Sequence, residues 1–230
     1  MRIIGLIGGM SWESTAIYYR LLNEGARARL GGLHSAELLL WSFDFAEIEA
    51  LQARGDWPAA TARMVAAAQA LERGGAACLV ICTNTMHQMA DAVQGSVDIP
   101  LIHIADTTAQ AVSAAGVRRP LFLATRYTME QDFYRGRMRE RYGIEPMVPD
   151  ADGRKVVHDI IYEELCQGIV SPFSKARYLE VVADADGADG VIFGCTEVGL
   201  LLSPGDLDLR AFDSTALHAA AALDFALESL

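Results

Sequence analysis

The stretch Val191-Ile192-Phe193-Gly194-Cys195-Thr196-Glu197-Val198 decides how this chain is read. An offset of 112 residues lays Ile192 to Thr196 on an earlier stretch, Val80-Ile81-Cys82-Thr83-Asn84. Each is a short apolar run that stops at a small polar residue, the pattern of a parallel strand buried on both faces. In an open α/β sheet, small molecules are met just beyond the carboxyl ends of the strands. Cys195 and Thr83 therefore stand where a ligand is expected, facing each other across it.

Working outward, the chain alternates strands and helices. Arg2 to Ile7 reads as a strand, Gly8-Gly9-Met10-Ser11 as the turn beyond it, and the next helix runs to Leu30, stopped by Gly31-Gly32. Strands follow at Glu37–Trp41, Cys78–Cys82 and Leu101–Ile104. Helices are expected from Phe45 to Arg54, from Asp56 to Gly74, from about Thr85, and after an Asp106 cap. Then the pattern restarts. Pro120–Ala124 is a strand, residues 125–128 a turn, and Met129–Arg141 a helix; an offset of 115 puts Asp132-Phe133-Tyr134-Arg135 on Ile17-Tyr18-Tyr19-Arg20 and Thr125 on Met10. Helices over 153–167 and 171–185 lead into the Cys195 strand, and a last strand at 210–212 precedes a helix capped by Ser214. Two matches at nearly one offset point to duplication. The expected fold class is α/β, with two pseudosymmetric domains, each a mostly parallel sheet flanked by helices, and the active site in the inter-domain cleft. The first domain is expected over 1–100 plus 208–230, and the second over 101–207.

Composition excludes several functions. A formal charge of −11, with no basic run, argues against nucleic acid or an anionic membrane as partner. No apolar run is long enough to span a bilayer, Met1-Arg2 leading straight into a strand gives no expectation of a signal peptide, and the four cysteines form no CxxC pair. A cytoplasmic protein with reduced thiols is expected. Only two lysines exist, Lys155 and Lys175, both in hydrophilic helices, so a pyridoxal phosphate Schiff base has no natural host. Gly8-Gly9 does not complete a dinucleotide fingerprint. The five histidines show no HxH or HExxH spacing, so no metal is expected.

Two equivalent protic groups on opposite sides of one small molecule suit inversion of a carbon centre. One removes a proton from one face; the other supplies a proton from the opposite face. A thiol suits the first task, and a helix expected to start near Thr196-Glu197 would favour thiolate at Cys195. Backbone N–H groups there, with Asn84, Thr85 and Thr196, are expected to hold an α-carboxylate and the enolate charge that develops.

The pieces Gly8-Gly9-Met10-Ser11-Trp12-Glu13-Ser14, Cys82-Thr83-Asn84-Thr85-Met86-His87 and Gly194-Cys195-Thr196-Glu197 together resemble the aspartate/glutamate racemase family over nearly the full length. The resemblance implies a cofactor-independent amino-acid racemase of two pseudosymmetric domains, acting on a small-molecule amino acid as a homodimer. The family carries cysteine in both motifs; here Thr83 stands at the first, as in the subgroup specific for L-aspartate and L-glutamate. Threonine is a poor base but can donate a proton, and the family pattern assigns the second-domain cysteine to the L-enantiomer; the resemblance thus implies that Cys195 takes the α-proton of the L-enantiomer and Thr83 returns one, favouring L to D. Gln52 and Arg54 lie where the family places side-chain contacts, and Arg54 can make a bidentate bond to a carboxylate. Members devoted to aspartate carry a lysine near the position of Cys166, which this chain lacks, so glutamate or a wider range is admitted. Met10 and Thr125, at matched turns, are expected to line the cleft.

The remaining residues have blander readings. Cys82, Cys78 and Cys166 read as structural cysteines; His87, one turn past Thr83, as packing on a helix surface rather than orienting the site; Glu197 as a helix cap rather than an acid; and the aromatic pairs Tyr18-Tyr19 and Phe133-Tyr134 as core and interface. Two other readings keep the site but change the role: a one-cysteine decarboxylase or cis–trans isomerase of a small dicarboxylate, and a non-catalytic amino-acid-binding protein.

Overall fold

The structure, a computed structural model, describes residues 1–228. In chain order the elements are β1 (Ile4–Gly8), α1 (Trp12–Leu30), β2 (Leu38–Ser42), α2 (Phe45–Ala53), α3 (Trp57–Arg73), β3 (Cys78–Ile81), a 3₁₀ turn over Thr85–Met89, α4 (Ala90–Gln94), β4 (Leu101–Ile102) and α5 (Ile104–Ala114). The second series is β5 (Pro120–Leu123), α6 (Arg126–Glu130), α7 (Asp132–Tyr142), α8 (Ala151–Glu163), α9 (Pro172–Ala183), β6 (Gly190–Phe193), α10 (Val198–Leu201), β7 (Ala211–Asp213) and α11 (Ser214–Leu227). Helix starts follow local chemistry. The Ser11 hydroxyl accepts from the Ser14 N–H to open α1, and Asp56 and Asp150 do the same for α3 and α8. Gly31, at a φ of 76°, stops α1 as its sequence predicts.

The chain divides into two units: residues 1–103 together with the chain from His218 onward, and residues 104–217. In the first, four parallel strands lie in the order β2-β1-β3-β4. Their side chains alternate between two apolar clusters. Ile4, Leu6, Cys78, Val80 and Cys82 point to Tyr18, Leu22 and Ala26 of α1 and to Ala222, Leu223 and Ala226 of α11. Ile7, Leu79 and Ile81 point the other way, to Ile48 of α2 and to Met64, Ala67 and Leu71 of α3. Each fully buried side chain of this size contributes roughly 1.5–3 kcal/mol.

The second unit holds the parallel sheet β5-β6-β7. Beyond β5, Met147 makes an isolated parallel bridge to Leu121, taking the place that β2 holds beside β1. The order Met147-β5-β6-β7 thus repeats β2-β1-β3-β4. Tyr134 and Met138 of α7, Ala105 and Ala109 of α5, and Val157 and Ile161 of α8 pack on this sheet.

Pairing corrects the repeat register. Phe122 lies opposite Ile192, as Leu6 lies opposite Val80, so with Ile192 on Val80 the first strands match at an offset of 116, not 115. Burial agrees: Tyr18 and Tyr134 are both fully buried, whereas Tyr19 is 58% exposed. Thr125 therefore matches Gly9 rather than Met10.

The domain boundaries also move. A return to the first domain at residue 208 is expected from the sequence, but Ala211–Asp213 pairs along β6, which satisfies backbone groups that would otherwise lie unpaired beside the core. The change of unit falls later, within α11 at His218, and the earlier one falls after His103 rather than at 101. The helix following each sheet's last strand thus belongs, wholly or in its later part, to the other unit. Ser229 and Leu230, the end of the predicted first-domain segment, lie outside the described residues. Two local expectations fail as well. The stretch after Thr125 is the short helix α6 rather than a turn, and Asp106 lies inside α5, where its carboxylate accepts from Arg137 at 2.6 and 2.7 Å instead of capping.

Candidate active site

Cys195 follows β6 at the carboxyl end of the strand, 9% exposed. Gly194 before it has no room for a side chain, because a Cβ there would lie 2.2 Å from the Phe122 ring, which is stacked on Tyr134. The chain then turns sharply, with the Val198 N–H donating to the Cys195 carbonyl at 3.2 Å. This turn folds the buried Glu197 carboxylate back onto the sulfur. Cys195 Sγ donates to Glu197 Oε2 at 3.0 Å, the Thr196 hydroxyl donates to the same oxygen, and Cys166 Sγ lies 3.8 Å from Oε1.

Three sequence expectations change here. Glu197 occupies the position before α10 but makes no side-chain cap bond; its carboxylate serves the thiol instead. The Thr196 hydroxyl directs its proton to Glu197. Nor does a helix dipole hold Cys195 as thiolate. The helix beyond is only four residues long, and the thiol pKa is pushed well above its ordinary value, first by burial, then by the charges of Glu197 and Cys166 and the hydrogen bond to Glu197. The resting sulfur is a thiol with a carboxylate acceptor in contact. An acid two residues after the cysteine was visible in the sequence, but only the turn brings it onto the sulfur.

Thr83 stands at the matching position, half-buried, one residue beyond Cys82. Cys82 points into the α1/α11 core, and burial raises its thiol pKa far out of the working range. Its carbonyl accepts from the Ser14 hydroxyl at 2.6 Å, which ties α1 to the end of β3. Asn84 and Thr85, both buried, enter the 3₁₀ turn. His87 does not sit on a helix surface. It is 3% exposed, and its Nδ1 lies 2.8 Å from the Thr83 carbonyl. A carbonyl oxygen only accepts, so Nδ1 carries the proton. The His87 ring packs against His103 at 4.7 Å and His218 at 5.5 Å between centroids. His218 in turn donates from Nε2 to the Ile102 carbonyl and accepts at Nδ1 from the Tyr18 hydroxyl, both at 2.7 Å. Nothing in the spacing of the histidines announced this cluster, because its members meet only through tertiary packing.

The other predicted residues are distributed as follows. Gln52 is buried in α2, while Arg54 ends that helix exposed, with no ion pair found for it among the described residues. Met10 is 6% exposed and belongs to the apolar cluster with Phe43 and Ile48. Thr125 is buried, its hydroxyl 3.1 Å from that of Thr128. No group of three or more His, Cys, Asp or Glu side chains is placed to hold a metal ion among the described residues. No helix among them is long and apolar enough to cross a membrane.

Parallel sheets flanked by helices, each with a protic residue just past a central strand, define the fold class as α/β. The Asp/Glu/Hydantoin racemase family model matches residues 7–222. A Yersinia pestis protein described as a candidate Asp/Glu racemase is 52% identical over 99% of this chain and 100% of its own, with a TM-score of 0.92. An aspartate racemase homologue from Pyrococcus horikoshii OT3 is 35% identical over 98% of this chain and 99% of its own, with a TM-score of 0.85. The aspartate racemase of Picrophilus torridus, 21% identical over 98% and 94%, shares the fold at a TM-score of 0.79. The chain belongs to the Asp/Glu/hydantoin racemase family and is an isomerase.

Proposed function

We propose that this enzyme racemises an acidic amino acid, aspartate or glutamate, without a cofactor, using Cys195 and Thr83 as its two proton-transfer groups. The observation that carries the reading is the Cys195 thiol donating at 3.0 Å to a buried carboxylate. The reaction begins when Glu197 takes the thiol proton. The Cys195 thiolate then removes the α-proton of the L-enantiomer, and the electron pair left on Cα spreads into the α-carboxylate as an enolate. Thr83 gives its hydroxyl proton to the opposite face of Cα, and water reprotonates the Thr83 oxygen. Loss of the proton from Glu197 to solvent resets the enzyme.

The asymmetry of the two groups sets the direction. A threonine hydroxyl donates readily to a carbanion but removes a Cα proton poorly, so at saturation L to D runs faster than D to L, with KM differing in the same ratio because the equilibrium constant of a racemisation is one. The α-carboxylate is held near Asn84 and Thr85, and Arg54 and Gln52 provide for the side-chain carboxylate, with Met10, Thr125 and Thr196 as lining. Four free cysteines and the absence of a disulfide among the described residues accord with a cytoplasmic setting, and we read the working form as a homodimer, which sedimentation would test.

The deciding experiment is incubation of the protein with L- and D-aspartate, L- and D-glutamate and neutral amino acids in heavy water, with no cofactor. Proton NMR follows loss of the Cα–H signal, and chiral chromatography follows inversion. Exchange with inversion of an acidic substrate, faster from L than from D at saturating concentrations, is the expected result. Carbon dioxide release, maleate turnover, or tight binding with no exchange would overturn it.

A further inference from the structure

Resting on that reading, we infer that His87 is a positioning residue for Thr83, held in place by a buried imidazole–tyrosine network that the Cys195 half lacks. The bond from His87 Nδ1–H to the Thr83 carbonyl is a direct hold on the backbone that carries the donor hydroxyl. This carbonyl lies just past the end of β3, so side chains rather than the ladder hold the chain here: the Ser14 hydroxyl holds the peptide before Thr83 through the Cys82 carbonyl at 2.6 Å, and His87 holds the peptide after it. His87 is not itself free to swing. His103 and His218 pack against its ring, and His218 is pinned from two sides by the Ile102 carbonyl and the Tyr18 hydroxyl. Tyr18 and His218 are fully buried, and His87 nearly so. The network therefore runs unbroken from α1, through α11, to the peptide of Thr83.

The internal repeat supplies the control. Tyr134 matches Tyr18, and its hydroxyl donates at 3.2 Å to Thr108, which sits in α5 where His218 sits in α11. The offset that lays Cys195 on Thr83 lays Gly199 on His87. The cysteine half thus keeps the tyrosine bond but has a hydroxyl where the threonine half has an imidazole, and no side chain where it has His87. In the cysteine half a carboxylate contacts the sulfur directly; in the threonine half the hold is on the backbone. A weak acid such as a hydroxyl gives up its proton efficiently only from a fixed position, and a misplacement of about 1 Å costs on the order of 100-fold.

The test separates proton removal from proton return. Starting from the L-enantiomer in heavy water, total Cα–H exchange reports on Cys195, and formation of the D-enantiomer reports on Thr83. In H87A the inversion rate is expected to fall on the order of 100-fold. Exchange with retained configuration persists and KM for the L-substrate changes little, so the ratio of inversion to exchange drops. H87N, whose side-chain amide places an N–H near the lost Nδ1–H, is expected to recover most of the inversion. Tyr18→Phe, which removes the outer anchor without touching Thr83, lowers the same ratio more weakly, and it serves with H87N if H87A does not fold. A merely structural role would lower exchange and inversion in equal proportion and leave H87N no better than H87A; that outcome, or an unchanged ratio, overturns the inference. Wild-type protein that exchanges no acidic amino acid refutes the racemase reading instead, and the positioning role with it.

Discussion

The buried imidazole of His218 makes a quantitative prediction about acid stability. Burial lowers its pKa from 6.5 to about 4, only partly offset by the bond to the Ile102 carbonyl. The physical cause is that a charged ring would have no water around it, and the Tyr18 hydroxyl already occupies Nδ1 as a donor. Above the unfolded value the ring is neutral in both states and contributes no pH dependence. As pH falls below 6.5 the unfolded chain takes up a proton that the folded protein refuses until about 4, so stability falls through that window and levels off beneath it. Each pH unit within the window costs about 1.4 kcal/mol, which sums to about 3 kcal/mol. Other groups titrate there too, among them Asp213, whose pKa burial raises, so the comparison is made against H218Q. Glutamine keeps a donor for Ile102 but carries no titrating group. Urea unfolding followed by circular dichroism, from about pH 7.5 to about pH 4, should show wild type losing about 3 kcal/mol more than H218Q. Parallel curves for the two proteins would refute the assignment of a buried neutral imidazole.

Three further outcomes follow from particular contacts. Glu197→Gln removes the acceptor for the Cys195 proton and should cut racemisation by about 100-fold or more, as loss of a general base does. Because the Glu197 charge also raises the thiol pKa, iodoacetamide should alkylate Cys195 at lower pH in that variant than in wild type; unchanged activity would remove Glu197 from the mechanism. Thr83→Cys should bring the saturated L-to-D and D-to-L rates closer together, measured by polarimetry from each pure enantiomer, and a kcat ratio no nearer to one would count against Thr83 as the second group. Gly194→Ala drives a methyl group into the Phe122 ring and should cost about 1–3 kcal/mol in denaturant unfolding, while a loss below about 0.5 kcal/mol would mean the ring can move aside.

The sequence by itself determined the α/β alternation, most helix ends, the duplication, and the two positions where strands hand over to protic residues. These are local signals: apolar runs of strand length, capping residues such as Ser11 and Asp56, glycine stops, and the paired ends at Cys82-Thr83 and Gly194-Cys195. The family was legible for the same reason, since its motifs are contiguous. Tertiary structure decided the rest. It moved the repeat register by one residue, because only strand pairing shows that Phe122, not Leu121, answers to Leu6. It kept β7 in the second sheet and changed units within α11, because pairing and burial act between segments far apart in sequence. It also recast Glu197, His87 and the state of the Cys195 thiol. A residue type does not disclose what it will touch once a turn folds back or three histidines from distant segments close on one another, and contact with neighbours and water is what sets a proton's affinity.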